Sequence, residues 1–178
     1  NGGLAKWSPD GKTLAFVRIT GDKFQIETTT TLAGEQKQLT TEGVTAGSYS
    51  VLPYSRLQTS DFSWSPDASR IVYISARSGL NNLWLVNADG SNEFRLSENN
   101  DSEVNVYCPL WSSDGKRIAF STRVVNADGT SGYSVQIIDT ETKKTDLITS
   151  GNEFLRLIGW SQSGNELILA SINGSRVV

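Results

Sequence analysis

Apolar residues fall in short runs along this chain. Leu14-Ala15-Phe16, Ile71-Val72-Tyr73, Ile118-Ala119-Phe120 and Leu167-Ile168-Leu169 each sit between stretches rich in Gly, Ser, Asp and Asn. Within a run the two outer residues are large and two apart, so they share one face of an extended strand. A first unit over residues 4–40 is predicted to hold strands at 4–7, 13–19 and 24–30 and a short fourth ending at Leu39-Thr40. Residues 59–97 repeat that plan, with Ala88-Asp89-Gly90-Ser91 as a hairpin signal. Residues 107–149 repeat it again, and 155–178 begin a fourth unit. An irregular link, 41–58, interrupts the series, and a polar link, 98–106, follows the second unit.

One tryptophan opens each hairpin. Trp7-Ser8-Pro9-Asp10-Gly11, Trp64-Ser65-Pro66-Asp67, Trp111-Ser112-Ser113-Asp114-Gly115 and Trp160-Ser161-Gln162-Ser163-Gly164 are four versions of one turn. Large apolar residues stand seven and nine positions after each Trp. Trp64 follows Trp7 by 57 residues, Trp111 follows Trp64 by 47, and Trp160 follows Trp111 by 49. Proline presets φ, the aspartates bond main chain two residues on, and glycine admits positive φ. Turn, spacing and apolar triplet recurring together point to an all-β chain, a β-propeller segment. It holds about three four-stranded blades plus the start of a fourth, part of a larger ring of roughly six to eight blades. The rest of the propeller or a second chain would complete the ring.

Composition narrows the chemistry. The chain has 178 residues, a net charge of −3 and a pI near 5.0, with no basic surplus for nucleic acid. No apolar run is long enough to span a bilayer. Methionine is absent even at position 1, which reads as a processed product or an excised piece. Cys108 is the single cysteine, expected as a buried structural thiol. Histidine is absent, which removes a Ser-His-Asp triad, a Cys-His pair and a His-based zinc site from these residues. The sequence also holds no phosphate-binding glycine loop and no calcium loop. Turn aspartates Asp10, Asp67 and Asp114 read as structural: the sialidase Asp-box has a spacer before its Gly and places its Trp after the turn. No catalytic residue, metal ligand or cofactor is expected.

What remains is a loop face. Arg18, Arg77 and Arg123 are expected just after the second strand of their units, on the side that carries the links between blades. Tyr54, Arg56, Tyr107 and Arg156 are expected on the same side. Arginine and tyrosine suit protein or peptide partners, offering contact area, planar donors and a polar tip. The three arginines equally fit ordinary solvated loop positions.

The run Trp-Ser-Pro-Asp-Gly-Lys followed by Leu-Ala-Phe, a further strand, an Asn-Ala-Asp-Gly turn and a terminal Leu-Thr or Leu-Ser resembles the TolB-like β-propeller repeat. The likeness covers 4–40, 59–97 and 107–149, and 155–172 in part. Ala68-Ser69 departs from Gly-Lys, and Gln162-Ser163 from Pro-Asp. The resemblance implies a non-catalytic scaffold or sensor that binds protein partners, periplasmic or otherwise outside the cytoplasm in the TolB case. It equally implies the gating propeller of a prolyl-oligopeptidase-type peptidase whose catalytic domain lies elsewhere.

Overall fold

The computed structural model describes residues 5–20, 23–30, 34–40, 44–45, 62–171 and 174–177. These form four antiparallel sheets taken up in chain order. The first holds β1 (Ala5–Trp7), β2 (Leu14–Thr20), β3 (Lys23–Thr29) and β4 (Lys37–Gln38), with β5 (Val44–Thr45) also pairing with β3. The second runs β6 (Phe62–Trp64), β7 (Arg70–Ser75), β8 (Asn82–Asn87), β9 (Phe94–Arg95). The third runs β10 (Val104–Trp111), β11 (Arg117–Val125), β12 (Ser131–Asp139), β13 (Thr145–Gly151). The fourth holds β14 (Arg156–Trp160), β15 (Leu167–Ser171) and β16 (Gly174–Val177). Three complete meanders and part of a fourth therefore follow the repeat.

Both faces of the second and third sheets are covered, which explains the apolar triplet. In β7, Ile71 and Tyr73 pack into a cluster with Ala15, Val17, Ile26 and Leu39 of the first sheet. Val72 and Ile74 point the other way, into a cluster with Val106, Trp111, Ile118 and Phe120 of the third. Ala119, between Ile118 and Phe120, faces Leu157, Leu167 and Leu169 of the fourth. At each of the three junctions the outer residues of one triplet thus meet the middle residue of the triplet before it. Alternation within a strand becomes alternation between neighbours.

Three expectations need correction. The 41–58 link gives up Val44 and Thr45 to pairing with Phe24 and Lys23; the rest of it lies outside the described residues. The inner strand of the third unit starts at Val104, not at 107. Its partner β11 runs on to Val125, so Val104 pairs with Val124 and Asn105 with Arg123. That strand carries a bulge between Tyr107 and Leu110, where Cys108 takes φ 52° and Pro109 supplies no N–H. A bulge is where a proline can enter a ladder without breaking a pair. Cys108 is half-buried, against the expected full burial, and packs on the cluster around Ala119.

Candidate functional site

The turn module comes first, because it sets where every strand end points. Ser8, Ser65 and Ser112 each donate a hydroxyl to the turn aspartate, at 2.6, 2.6 and 2.5 Å. The same hydroxyls accept main-chain N–H from Thr13, Arg70 and Arg117 at 2.9, 2.9 and 3.0 Å. Each carboxylate in turn accepts an N–H two residues on, from Lys12, Ser69 and Lys116. Position Trp+4 has positive φ in all four units: Gly11, Ala68, Gly115 and Gly164. In the fourth unit Ser163 replaces the acid, and its hydroxyl meets that of Ser161 at 2.9 Å.

These bonds stabilise the charged carboxylate. Asp67 is lowered from 3.8 to about 2, first by the Ser65 hydroxyl, then by the Ser69 main-chain N–H and the Ser69 hydroxyl. A carboxyl depressed on folding gives stability that is complete above its unfolded value and is lost as pH falls through its folded value. Asp67 is exposed, so solvent screens much of this gain, and Asp67→Asn is expected to cost no more than about 1 kcal/mol at pH 7. That difference from wild type should shrink as pH drops from about 4 to about 2. Urea unfolding at several pH values checks it, and a difference that stays constant across the window would contradict it.

The loop face is built by asparagines. The Asn82 amide donates to Ser78 Oγ and the Leu80 carbonyl, and its oxygen accepts from Ser97 Oγ and from Asn99 N at 2.7 Å. Asn99 then donates to the carbonyls of Asn81 and Val104. Asn99 Oδ1 accepts from Asp101 N, and Asp101 Oδ1 from Glu103 N. The link between the second and third units is thus tied to the 76–81 loop, which also meets Asn105 through Asn81. Beside it opens a cleft of about 310 Å³ whose lining includes Glu98, Val104, Phe120, Thr122, Gln136 and Thr145.

Arg77 occupies a different constellation. Its Nη1 donates to Glu93 Oε2 at 2.6 Å, and the guanidinium lies 3.5 Å from the centre of the Trp84 ring. Tyr73 donates its hydroxyl to the other Glu93 oxygen. Burial first, and then Glu93, pushes the Tyr73 phenol well above its ordinary range. Side-chain exposure of Arg77 and Glu93 is only 14% and 17%. Arg77 thus sits largely inside the fold with its charge matched by Glu93.

The others lie apart. Arg18 and Arg123 do not follow their second strands but belong to them, in β2 and β11. Arg18 Nε donates to Glu27 Oε1 at 2.5 Å and its Nη2 to Gln36. Arg123 donates twice to Ser131 Oγ, at 3.0 and 2.9 Å. Tyr107, expected on the surface, is 5% exposed because β10 carries it inward. Arg156 opens β14 opposite Ala170 and is half-buried. Tyr54 and Arg56 lie outside the described residues. Glu93 and the Asn82–Asn99 tie were missed from sequence. One signal was present: Tyr73 stands where the first and third units have Phe16 and Phe120, and a buried hydroxyl calls for an acceptor.

Fold and turn module together define a segment of a β-propeller. Its likeness is to TolB-like propeller domains. A TolB-type protein from Agrobacterium tumefaciens superposes with TM-score 0.64 at 21% identity, over 98% of this chain and 59% of that one. TolB from Acinetobacter baumannii gives 0.63 at 20% identity, over 95% and 40%. An uncharacterized Agrobacterium fabrum protein is 26% identical over 167 residues, which is 90% of this chain and 51% of that protein. Dipeptidyl-peptidase 5 of Porphyromonas gingivalis is 36% identical over 69 residues, 35% of this chain and 10% of the peptidase. The chain thus spans about half the length of the Agrobacterium fabrum protein and a tenth of the peptidase. No family model matches it.

Proposed function

We propose that the chain is a non-catalytic propeller segment that binds a protein or peptide on the loop face between its second and third units. The observation that carries this is the pinned link. Asn82 and Asn99 hold 97–103 in one conformation beside the Phe120–Thr122 cleft, leaving Asn100, Asp101 and Glu103 exposed. A loop ordered before binding loses less entropy on contact, and a cleft that mixes Val104, Val106 and Phe120 with polar side chains offers a partner both apolar contact and hydrogen bonds. The likeness to TolB supports the scaffold reading and an extracytoplasmic, periplasmic setting.

Thr145→Trp would fill the cleft from the edge strand without touching the asparagine ties. Affinity capture from the source organism, quantified against wild type, is expected to lose a defined set of partners about tenfold or more, as for a blocked anchor pocket. Equal recovery by wild type and variant would refute the site. The match to dipeptidyl-peptidase 5 favours one other reading, a propeller attached to a peptidase. Its mark is a Gly-x-Ser-x-Gly elbow in the same open reading frame.

A further inference from the structure

The face of the third sheet that turns toward the second unit carries more than the cleft beside the pinned link. Phe120, Thr122 and Val124 stand in one row on β11, and their partners Gln136, Ser134 and Gly132 stand in the facing row on β12. The lower pair, Phe120 and Gln136, lines the cleft beside the link. At the upper pair, Val124 and Gly132, a second cleft opens, of about 340 Å³, whose lining includes Tyr133, Ser150 and Gly151. Thr122 lines both clefts. They are consecutive compartments of one groove that follows the strands. The ridge between them is fixed: Thr122 Oγ1 and Ser134 Oγ share a hydrogen bond of 2.6 Å, and Gln136 Nε2 donates to Ser134 Oγ at 3.0 Å.

The compartments differ in chemistry. Val104, Val106 and Phe120 make the lower one partly apolar, and Glu98 stands at its wall. The link over it, 97–103, carries Glu98, Asp101 and Glu103 and no lysine or arginine. No charged side chain lines the upper compartment. A Cβ on Gly132 would press on Val124 Cγ1 at 3.0 Å, so this stretch of β12 stays bare. A glycine inside a strand lets another group approach the main chain closely. At the rim, the Tyr133 ring is braced edge-on by Phe154, with 5.5 Å between centres.

We propose, resting on the lower cleft being a peptide site, that the groove takes an extended segment with two anchors four residues apart. An aliphatic side chain fills the lower compartment and an aromatic ring the upper one. A small residue lies midway between them, and a lysine or arginine stands next to the aliphatic anchor. The spacing follows from the strand. Four residues separate Phe120 from Val124 and Gln136 from Gly132, a rise of about 13 Å. Residues i and i+4 of an extended peptide span that distance and point to one side, with i+2 between them. Helical residues four apart span about 6 Å and reach only one compartment. A large i+2 side chain would meet the Thr122–Ser134 ridge and lift the segment off the sheet. Bare main chain beside Val124 gives a ring a flat surface. The neighbour of the aliphatic anchor points away from the sheet, toward the acidic link, where a cation is complementary.

A phage-displayed library of random twelve-residue peptides supplies the probe. Selection on the protein is expected to enrich aliphatic-x-small-x-aromatic, or its reverse, with a basic residue beside the aliphatic one. An enriched peptide is then made with its anchors three, four and five residues apart. Affinity by fluorescence anisotropy is expected to fall about tenfold or more at three and at five. Ser150→Phe fills the upper compartment from the edge strand, where Ser150 is exposed opposite Ser134. It is expected to weaken the peptide about tenfold, with no further loss when the peptide's own ring is removed. Binding that Thr145→Trp abolishes, but that is indifferent to anchor spacing and to Ser150→Phe, would overturn this inference and leave the lower cleft standing. Binding indifferent to Thr145→Trp would overturn both, as would a selection that enriches nothing. A chain that sediments as a dimer and becomes a monomer on Ser150→Phe would also overturn it, because a second copy would then fill the groove.

Discussion

Trp111→Ala is expected to lower the unfolding free energy by about 3–5 kcal/mol, the range for deleting a buried large aromatic. Trp111 packs between Val72, Ile74 and Phe120 and gives its N–H to Ser63. Removing it empties a site fixed by two rigid sheets, which have little freedom to collapse into the gap. It also leaves the Ser63 carbonyl without its indole donor and the Arg70 guanidinium without its ring. Trp111→Phe keeps most of the volume, so its cost should sit near the loss of one hydrogen bond, about 1 kcal/mol beyond the change in size. Trp7→Ala, in the same motif, should fall within about 0.5 kcal/mol of wild type in residues 1–178. Urea unfolding followed by far-ultraviolet circular dichroism separates the three variants. Comparable losses for Trp111→Ala and Trp7→Ala would remove the indole lock between units as a source of stability.

That pair of tryptophans also shows how far sequence reading reaches. The turn is local. Ser65, Asp67 and the positive φ of Ala68 all lie within a few residues of one another, and their chemistry is legible in four letters. The strands follow from it, because a fixed turn and a triplet of apolar residues leave one hairpin register. What Trp7 and Trp111 meet is not local. Identical motifs face either the next sheet or solvent, and no pattern inside the motif encodes which. Strand length was misjudged for a related reason. Arg123 is expected just after the second strand, yet β11 keeps it paired because β10 and β12 lie on both sides.

The loop arginines mark the same boundary between local and tertiary information. Arg77 lies just after β7, which ends at Ser75. Its partner Glu93 lies past a whole strand and a turn, 16 residues on, so the ion pair exists only once β7 and β8 have paired. The asparagine ties of 97–103 are likewise invisible to composition. A run of Glu, Asn, Asp and Ser reads as a solvated linker, whereas Asn82 and Asn99 use that polarity to satisfy main chain and fix its course.

Arg77→Ala should be the second costly substitution, at about 3 kcal/mol, the low end for breaking a buried ion pair, because neither partner is fully enclosed. The loss has two parts. Glu93 is left in a mostly dry place with only the Tyr73 hydroxyl beside it, and Trp84 loses the cation stacked on its face. Replacing both charges tests which part dominates. Arg77→Met with Glu93→Leu removes the stranded carboxylate and retains the packing volume, so this double variant should recover most of the stability lost by Arg77→Ala. A cycle built from Arg77→Met, Glu93→Leu and the double variant should give a coupling of about 2 kcal/mol. Added salt should leave that coupling nearly unchanged, since the pair is shielded from solvent ions. An exposed arginine would behave otherwise, losing no more than about 0.5 kcal/mol as a single variant and showing no coupling. That second pattern would return Arg77 to the loop face as a contact residue. The first keeps it as an internal brace, holding the 76–81 loop against the turn that carries Glu93 and so supporting the link that Asn82 and Asn99 pin.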